Sequence, residues 1–170
     1  YIGDWSSDVC SSDLQTLENR ARDPSHLRGW EWFLLWRQVY SESQTRKTHD
    51  GADYFVCYSP DGNTITTAGA DAVIRFYDAH LLGEQETIET GQGEVNGIKF
   101  GPDGRKLASA GDDGTVRIWD LDSGQELLQI AAHPGTAYQV DFTPDGQLLV
   151  SCGDDPIIRL WDTRTGDLKG

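Results

Sequence analysis

The sequence is poor in cysteine, in clustered basic residues and in long apolar segments, and each shortage excludes a class of protein. Its three cysteines are too few and too scattered for a disulfide framework or a zinc site. No run of Lys or Arg interrupts a formal charge of −14, so we expect no nucleic acid as the main partner. No apolar run approaches the roughly 18 residues of a membrane-spanning helix, so we expect no membrane insertion by this chain.

Short apolar runs separated by turn signals recur at a fixed spacing of 42 residues. Between Gly91 and Asp120, the turn signals Pro-Asp-Gly and Asp-Asp-Gly separate three such runs, which predicts a meander of three antiparallel strands. The pattern is found again 42 residues earlier and 42 residues later. Pro-Asp-Gly lies at 60–62, 102–104 and 144–146, and an aromatic residue followed by Asp lies at 77–78, 119–120 and 161–162.

A period of this length that ends in Trp-Asp is typical of the blades of a β-propeller. On these turn, strand and Trp-Asp signals, the chain resembles the WD40 repeat family over residues 41–170. The resemblance implies an all-β propeller of four-stranded blades, at about 49–90, 91–132 and 133–170. Because about four to eight blades close a propeller, we expect a fragment whose remaining blades belong to a missing part of the chain.

The first 40 residues do not share the repeat. Residues 1–14 resemble a translated sequencing adapter and are predicted to be a non-native tail, with a genuine Ser-rich tail as the alternative. Residues 15–40 are predicted to be helical, since Asp23-Pro24 is a helix start signal and apolar residues then recur at helical spacing. We expect the tryptophans of this segment to pack on the propeller or a preceding helix, and an interfacial membrane anchor is the alternative.

Two shorter segments near the start of the repeats carry further predictions. The polar, Thr-rich residues 41–48 suit an edge strand and are predicted to complete the last blade. Leu-Arg-Gly-Trp-Glu-Trp at 27–32 resembles the segment that precedes the propeller in planctomycete-type bacterial WD40 proteins, some of which are serine/threonine kinases. This resemblance implies an alternative function as the C-terminal propeller of such a kinase. We expect a cytoplasmic location, with a periplasmic or extracytoplasmic one as the alternative if the chain is attached to a membrane kinase.

The resemblance to the family also implies a structural role for polar residues inside each blade. In the family, a histidine before the first strand, a Ser or Thr on the second, an Asp in the next turn and the tryptophan form a buried hydrogen-bond chain that fixes the strand register. The matching residues are His49, Thr67, Asp71 and Tyr77, then Ser109, Asp113 and Trp119, and finally His133, Ser151, Asp155 and Trp161. Because Gly91 replaces the second histidine, we expect an incomplete network and a looser second blade.

Ser, His and Asp in one blade also suggest a hydrolase triad, and the paired aspartates suggest a calcium site. We expect no catalytic residue, because the set recurs with its histidine missing once and Leu107–Gly111 lacks the first glycine of a nucleophile elbow. The Asp pairs at 112–113 and 154–155 lie in hairpin turns, where backbone geometry alone favours Asp. We therefore expect no metal and no cofactor.

The remaining candidate surface is the rim of loops that WD40 proteins commonly use for partners. Four acidic residues fall on this rim: Asp53, Glu94, Asp112 and Asp154. Such a rim would attract a basic segment, although solvated turn residues would have the same composition. The sequence therefore predicts a non-catalytic scaffold that binds a protein or peptide partner.

Overall fold

The computed structural model describes residues 46–169, and these residues form eleven β-strands and no helix. The prediction of an all-β fold is confirmed. The strands are β1 (Asp53–Tyr58), β2 (Thr64–Gly69), β3 (Val73–Asp78), β4 (Glu84–Glu89), β5 (Val95–Phe100), β6 (Lys106–Gly111), β7 (Thr115–Asp120), β8 (Glu126–Ala131), β9 (Ala137–Phe142), β10 (Leu148–Gly153) and β11 (Arg159–Asp162).

The strands form three antiparallel sheets, each a meander in chain order. The first sheet holds β1 to β4 and the second β5 to β8, while the third holds β9 to β11. An isolated bridge between Trp161 and Leu168 follows the third sheet. The first strands lie side by side, with β5 packed against β1 and β9 packed against β5. We refer to the three sheets as the first, second and third blades.

Several predicted segments lie outside the described residues. They are the tail at 1–14, the helical segment at 15–40 and the first five residues of the edge strand predicted at 41–48. The last three residues of that strand, 46–48, are described and have no regular secondary structure. Residues 46–169 contain no helix with the length and apolarity needed to cross a bilayer.

Two apolar clusters fill the boundaries between neighbouring blades. Strand β7 shows how the alternation of side chains builds both clusters. Val116 and Ile118 enter the cluster between the second and third blades, whereas Trp119 enters the cluster between the first and second. Both faces of the middle blade are therefore buried.

A β-bulge interrupts the first strand of each blade at the same position. In the first blade, Asp53 pairs with Gly69 and Phe55 pairs with Ala68, which leaves Tyr54 as an extra residue. The same shift leaves Asn96 extra in β5 and Tyr138 extra in β9. A bulge bends the strand and redirects a side chain, so these three side chains leave the alternating pattern of their strands.

Candidate functional site

In the third blade, four side chains form one buried hydrogen-bond network. The indole Nε1 of Trp161 donates to the Ser151 hydroxyl at 2.9 Å. Ser151 Oγ lies 3.0 Å from His133 Nε2, and His133 Nδ1 lies 3.1 Å from Asp155. An ionised Asp155 can only accept, so Nδ1 carries the hydrogen of that bond, and in the neutral imidazole Nε2 then accepts the hydrogen of Ser151. The network ties the loop before β9 to strands β10 and β11.

The first blade contains the same histidine contacts but holds its aromatic residue differently. His49 Nε2 lies 2.8 Å from the Thr67 hydroxyl, and Nδ1 lies 2.6 Å from Asp71. The hydroxyl of Tyr77 lies 3.5 Å from the carbonyl oxygen of Thr48, at the limit for a hydrogen bond. The guanidinium of Arg46 lies over the Tyr77 ring, 5.3 Å from its centroid, and adds a cation–π contact.

The second blade differs from the prediction, because its network is continued without a histidine. Gly91 stands at the histidine position, but the next residue, Gln92, is fully buried. Gln92 Oε1 accepts from the Ser109 hydroxyl at 2.5 Å, and Nε2 donates to the Thr115 carbonyl at 3.0 Å. Trp119 Nε1 donates to Ser109 at 2.9 Å, as Trp161 does to its own serine.

The network of the second blade ends, like the other two, on an aspartate. Gln92 Nε2 lies 3.1 Å from the Thr115 hydroxyl, which donates to Asp113 at 2.7 Å. A glutamine amide offers one acceptor and one donor group, which are the functions that an imidazole supplies. The prediction of an incomplete network is therefore wrong, and nothing in these hydrogen bonds supports a looser second blade.

Each network aspartate is followed four residues later by an arginine that pairs with it. The sequence analysis did not predict these pairs. Arg75 pairs with Asp71 at 2.7 Å and Arg159 pairs with Asp155 at 2.8 Å. Arg117 lies 3.4 Å from Asp113 and 2.9 Å from Glu126. The three arginines recur at the 42-residue period, and this recurrence would have identified them.

Charge compensation keeps the aspartates of the histidine networks ionised. Burial acts to raise the pKa of Asp71, but hydrogen bonds from His49 and Arg75 outweigh it and lower the pKa to about 2. Burial also opposes ionisation of Asp155, and bonds from Arg159 and His133 again lower its pKa. Each of these aspartates is thus ionised at neutral pH and orients its histidine.

The Ser-His-Asp set of the third blade is arranged for support rather than for attack on a substrate. Ser151 is only 1% exposed, and its oxygen already accepts the indole hydrogen of Trp161. His133 is buried between this serine and Asp155. A nucleophile needs a lone pair that a substrate can reach, and this packing denies it.

Three of the four predicted rim acids lie beside the bulge residues and form what we call the rim strip. The Tyr54 hydroxyl donates to Glu94 at 2.7 Å, and Asn96 donates to Asp112 at 2.9 Å. The Tyr138 hydroxyl donates to Asp154. The rim strip therefore consists of Tyr54, Glu94, Asn96, Asp112, Tyr138 and Asp154. It repeats one arrangement, a bulge residue bonded to a carboxylate, across the three blades.

Asp53, the fourth predicted rim acid, has different neighbours. Its carboxylate accepts from the Thr48 hydroxyl at 2.5 Å and lies 3.6 Å from His49 Nε2. The residues at the same repeat position, Val95 and Ala137, are fully buried. The structure thus gives Asp53 contacts to the network of the first blade and none to the rim strip.

The carboxylates of the rim strip meet only neutral donors. No Lys or Arg among residues 46–169 forms an ion pair with Glu94, Asp112 or Asp154. The hydrogen bond from Tyr138 lowers the pKa of Asp154, and the bond to Glu94 raises the pKa of Tyr54. The tyrosines, which are 44% and 49% exposed, therefore stay protonated beside the rim charges.

The paired aspartates do not converge on a common point. Asp112 bonds to Asn96 on the rim strip, whereas Asp113 turns inward to Thr115. Asp154 and Asp155 divide in the same way, toward Tyr138 and toward Arg159. In the part of the chain that the structure describes, no three His, Cys, Asp or Glu side chains are placed to hold a metal ion.

Comparison with known proteins identifies the family of this chain. The family described as WD domain, G-beta repeat, matches residues 41–78, 83–120 and 124–162, which together make up most of the chain. No similar protein was found among curated sequences. WD40 repeat domains are typically non-catalytic scaffolds and generally mediate protein–protein interaction. The chain belongs to the WD40 repeat family.

Proposed function

We propose that this chain is a non-catalytic platform that binds a basic segment of a partner protein along the rim strip. The observation that carries the proposal is the contrast between two sets of carboxylates. Asp71, Asp113 and Asp155 are neutralised by arginines inside the blades, whereas the rim-strip acids have no cationic partner among the described residues. Unpaired surface charge of one sign steers an oppositely charged partner and sets its register.

The arrangement of the rim strip supports recognition of an extended segment. Bulge residues at equivalent repeat positions, Tyr54, Asn96 and Tyr138, each donate a hydrogen bond to a carboxylate. Two of these carboxylates, Asp112 and Asp154, are themselves 42 residues apart. Two exposed tyrosines lie among them and supply the amphipathic aromatic surface that is enriched at protein interfaces. Lys and Arg side chains of a partner would find both carboxylates and aromatic faces here.

A binding measurement with a simple basic probe tests the proposal. The probe is a fluorescein-labelled peptide of alternating Lys and Ser, and its anisotropy is followed on titration with the full chain. The triple variant Glu94→Gln, Asp112→Asn, Asp154→Asn removes three charges but keeps the oxygen acceptors for Tyr54, Asn96 and Tyr138. We expect its affinity to fall by about tenfold, and the salt dependence of binding to weaken.

The matched control removes charge from the opposite end of the blades. The triple variant Asp120→Asn, Asp145→Asn, Asp162→Asn also removes three charges and keeps the acceptors of the turns after β7, β9 and β11. This control should bind the Lys-Ser peptide as the wild type does. Equal loss of affinity in both variants would show that the peptide responds to overall charge, and the rim strip would then not be the site.

A second candidate function rests on the segment at residues 27–32, which resembles the stretch before the propeller in bacterial WD40 proteins fused to kinases. On this hypothesis the intact polypeptide is a serine/threonine kinase and this chain is its sensory or scaffolding part. The upstream reading frame tests the hypothesis, because a catalytic lobe has a Gly-rich loop and further motifs that are easy to recognise. An upstream frame without these motifs would end it.

A further inference from the structure

A groove opens between the first and second blades at the end opposite the rim strip. It lies between the turns that follow β1 and β5, beside the start of β4, and its volume is about 500 Å³. Its floor is apolar and formed by Phe76, Ile88, Phe100 and Leu121. The Phe76 and Phe100 rings meet edge to face with centroids 6.5 Å apart, so the floor is a packed aromatic surface.

The equivalent position between the second and third blades shows why this groove is open. There Leu128 of β8 packs against the apolar cluster, close to Gly166. A Cβ placed on Gly166 would lie 3.5 Å from Ile130 and 4.0 Å from Leu128. In the first blade the residue 42 positions before Leu128 is Glu86, which is exposed, and Gly124 has no atom within 4 Å of its Cβ position.

The polar lining of the groove has one sign of charge. Asp61, Glu86 and Asp103 line it, and no Lys or Arg does. None of these carboxylates forms an ion pair within residues 46–169. Asp61 and Asp103 accept hydrogen bonds from the backbone N–H groups of Asn63 and Arg105. The depression at the next blade boundary, of about 530 Å³, is lined by Lys106 and Arg164 as well as by acids.

We propose that this groove binds a segment of a partner protein in which a bulky apolar residue is flanked by Lys or Arg. The apolar residue covers the floor of Phe76, Ile88 and Phe100, and the flanking cations meet the acidic walls. Interface hot spots are commonly anchors that fill well-packed pockets, and binding pockets are mostly apolar with a few polar groups that fix orientation. This site is separate from the rim strip and does not depend on it.

The experiment uses the full chain with isotope-labelled Ile and Leu methyl groups. The probe is the peptide Ser-Lys-Leu-Lys-Ser, and two matched peptides replace either both Lys by Glu or the Leu by Ser. We expect the methyl signals of Ile88 and Leu121 to shift with the first peptide alone. The shifts should saturate on titration and give a dissociation constant for the groove.

Two variants test the two halves of the proposal. Glu86→Leu places in the groove the residue that occupies the equivalent site in β8, and should weaken binding by about tenfold or more because the floor becomes covered. Asp61→Asn with Asp103→Asn keeps the turn acceptors and should weaken binding by about fivefold through lost charge. Asp145→Asn removes the equivalent turn charge after β9, outside the groove, and keeps its turn acceptor. It is the control and should leave the affinity unchanged.

Three results would overturn the proposal. The first is equal binding of the Lys-flanked and Glu-flanked peptides, which would remove the charge argument. The second is unchanged affinity in both groove variants, or methyl shifts confined to residues far from Ile88 and Leu121. The third is a shift of these two signals that grows with protein concentration in the absence of peptide, because the occupant would then be a second copy of this chain.

Discussion

The second and third blades connect their loops and strands with different polar side chains. In the third blade, His133 lies between Ser151 and Asp155, while in the second blade Gln92 lies between Ser109 and Thr115. In both blades a tryptophan donates to the serine at 2.9 Å. The shared requirement is a buried chain in which each donor meets an acceptor, and imidazole is only one way to meet it.

The difference between the two blades lies in the groups that connect the serine to the network aspartate. The third blade places His133 against Asp155, whose partner is Arg159. In the second blade the amide of Gln92 and the hydroxyl of Thr115 separate Ser109 from Asp113. The second-blade network lacks a histidine and should therefore respond less to pH, while both networks should matter equally for stability.

The largest effect is expected when the central residue of either network becomes apolar. Gln92→Leu and His133→Leu each leave a buried serine hydroxyl without its acceptor, which costs about 1–3 kcal/mol in the free energy of unfolding. Urea unfolding followed by tryptophan fluorescence measures this loss for both variants. We expect losses of similar size, because both residues are buried and both accept from a buried serine.

The serines provide the matched control for this comparison. Ser109→Ala and Ser151→Ala remove the same hydroxyl from equivalent positions, and each leaves an indole N–H without its acceptor. Their losses should agree with each other. If the second blade loses much less than the third in both pairs, Gln92 does not brace its blade and the equivalence of the two networks is wrong.

The sequence was sufficient to predict the strands, their alternation and most of the network residues. Turn signals and period-two alternation identify β7, for example, and place Trp119 on the face opposite Val116 and Ile118. These features are local, since each depends on a few neighbouring residues. Repetition at 42 residues then gives three independent readings of the same unit.

Features that depend on a shift of one residue could not be predicted in this way. Gly91 adopts a φ of 65°, in the left-handed region that glycine favours, and the next side chain enters the network in place of a histidine. The bulges at Tyr54, Asn96 and Tyr138 are also one-residue insertions, visible only in the pairing of two strands. Strict alignment at the repeat period conceals the role of Gln92, whereas the bulges keep the period and are concealed by strict alternation within a strand.

A smaller effect, confined to acid, is expected from the histidine networks. The pKa of Asp71 in the folded chain is about 2, below its ordinary value, so the unfolded chain takes up a proton first as pH falls. The stability contributed by Asp71 is therefore complete above about pH 4 and is lost as pH falls toward 2. Urea unfolding midpoints measured between pH 5 and pH 2 follow this loss.

The variant Asp71→Asn isolates this contribution from that of the other carboxylates. It should be less stable than the wild type at pH 5, and its midpoint should fall less between pH 4 and pH 2. Gln92→Leu, which alters the network without a histidine, should lose stability by the same amount at both pH values. A pH profile of Asp71→Asn parallel to that of the wild type would contradict the ionic role of Asp71.

The smallest effect, and the only gain, is expected at a polar group outside the networks. The Thr66 hydroxyl on β2 is fully buried and has no hydrogen-bond partner among the described residues, and the equivalent positions hold Ala108 and Val150. Thr66→Val keeps the shape and should raise the free energy of unfolding by about 1 kcal/mol, measured by urea unfolding. The control is Thr67→Val on the same strand, which removes the hydroxyl bonded to His49 and should destabilise. Equal losses of stability in both variants would mean that the Thr66 hydroxyl has a hydrogen-bond partner. The hydroxyls of the networks would then not differ in this respect from a hydroxyl elsewhere in the core.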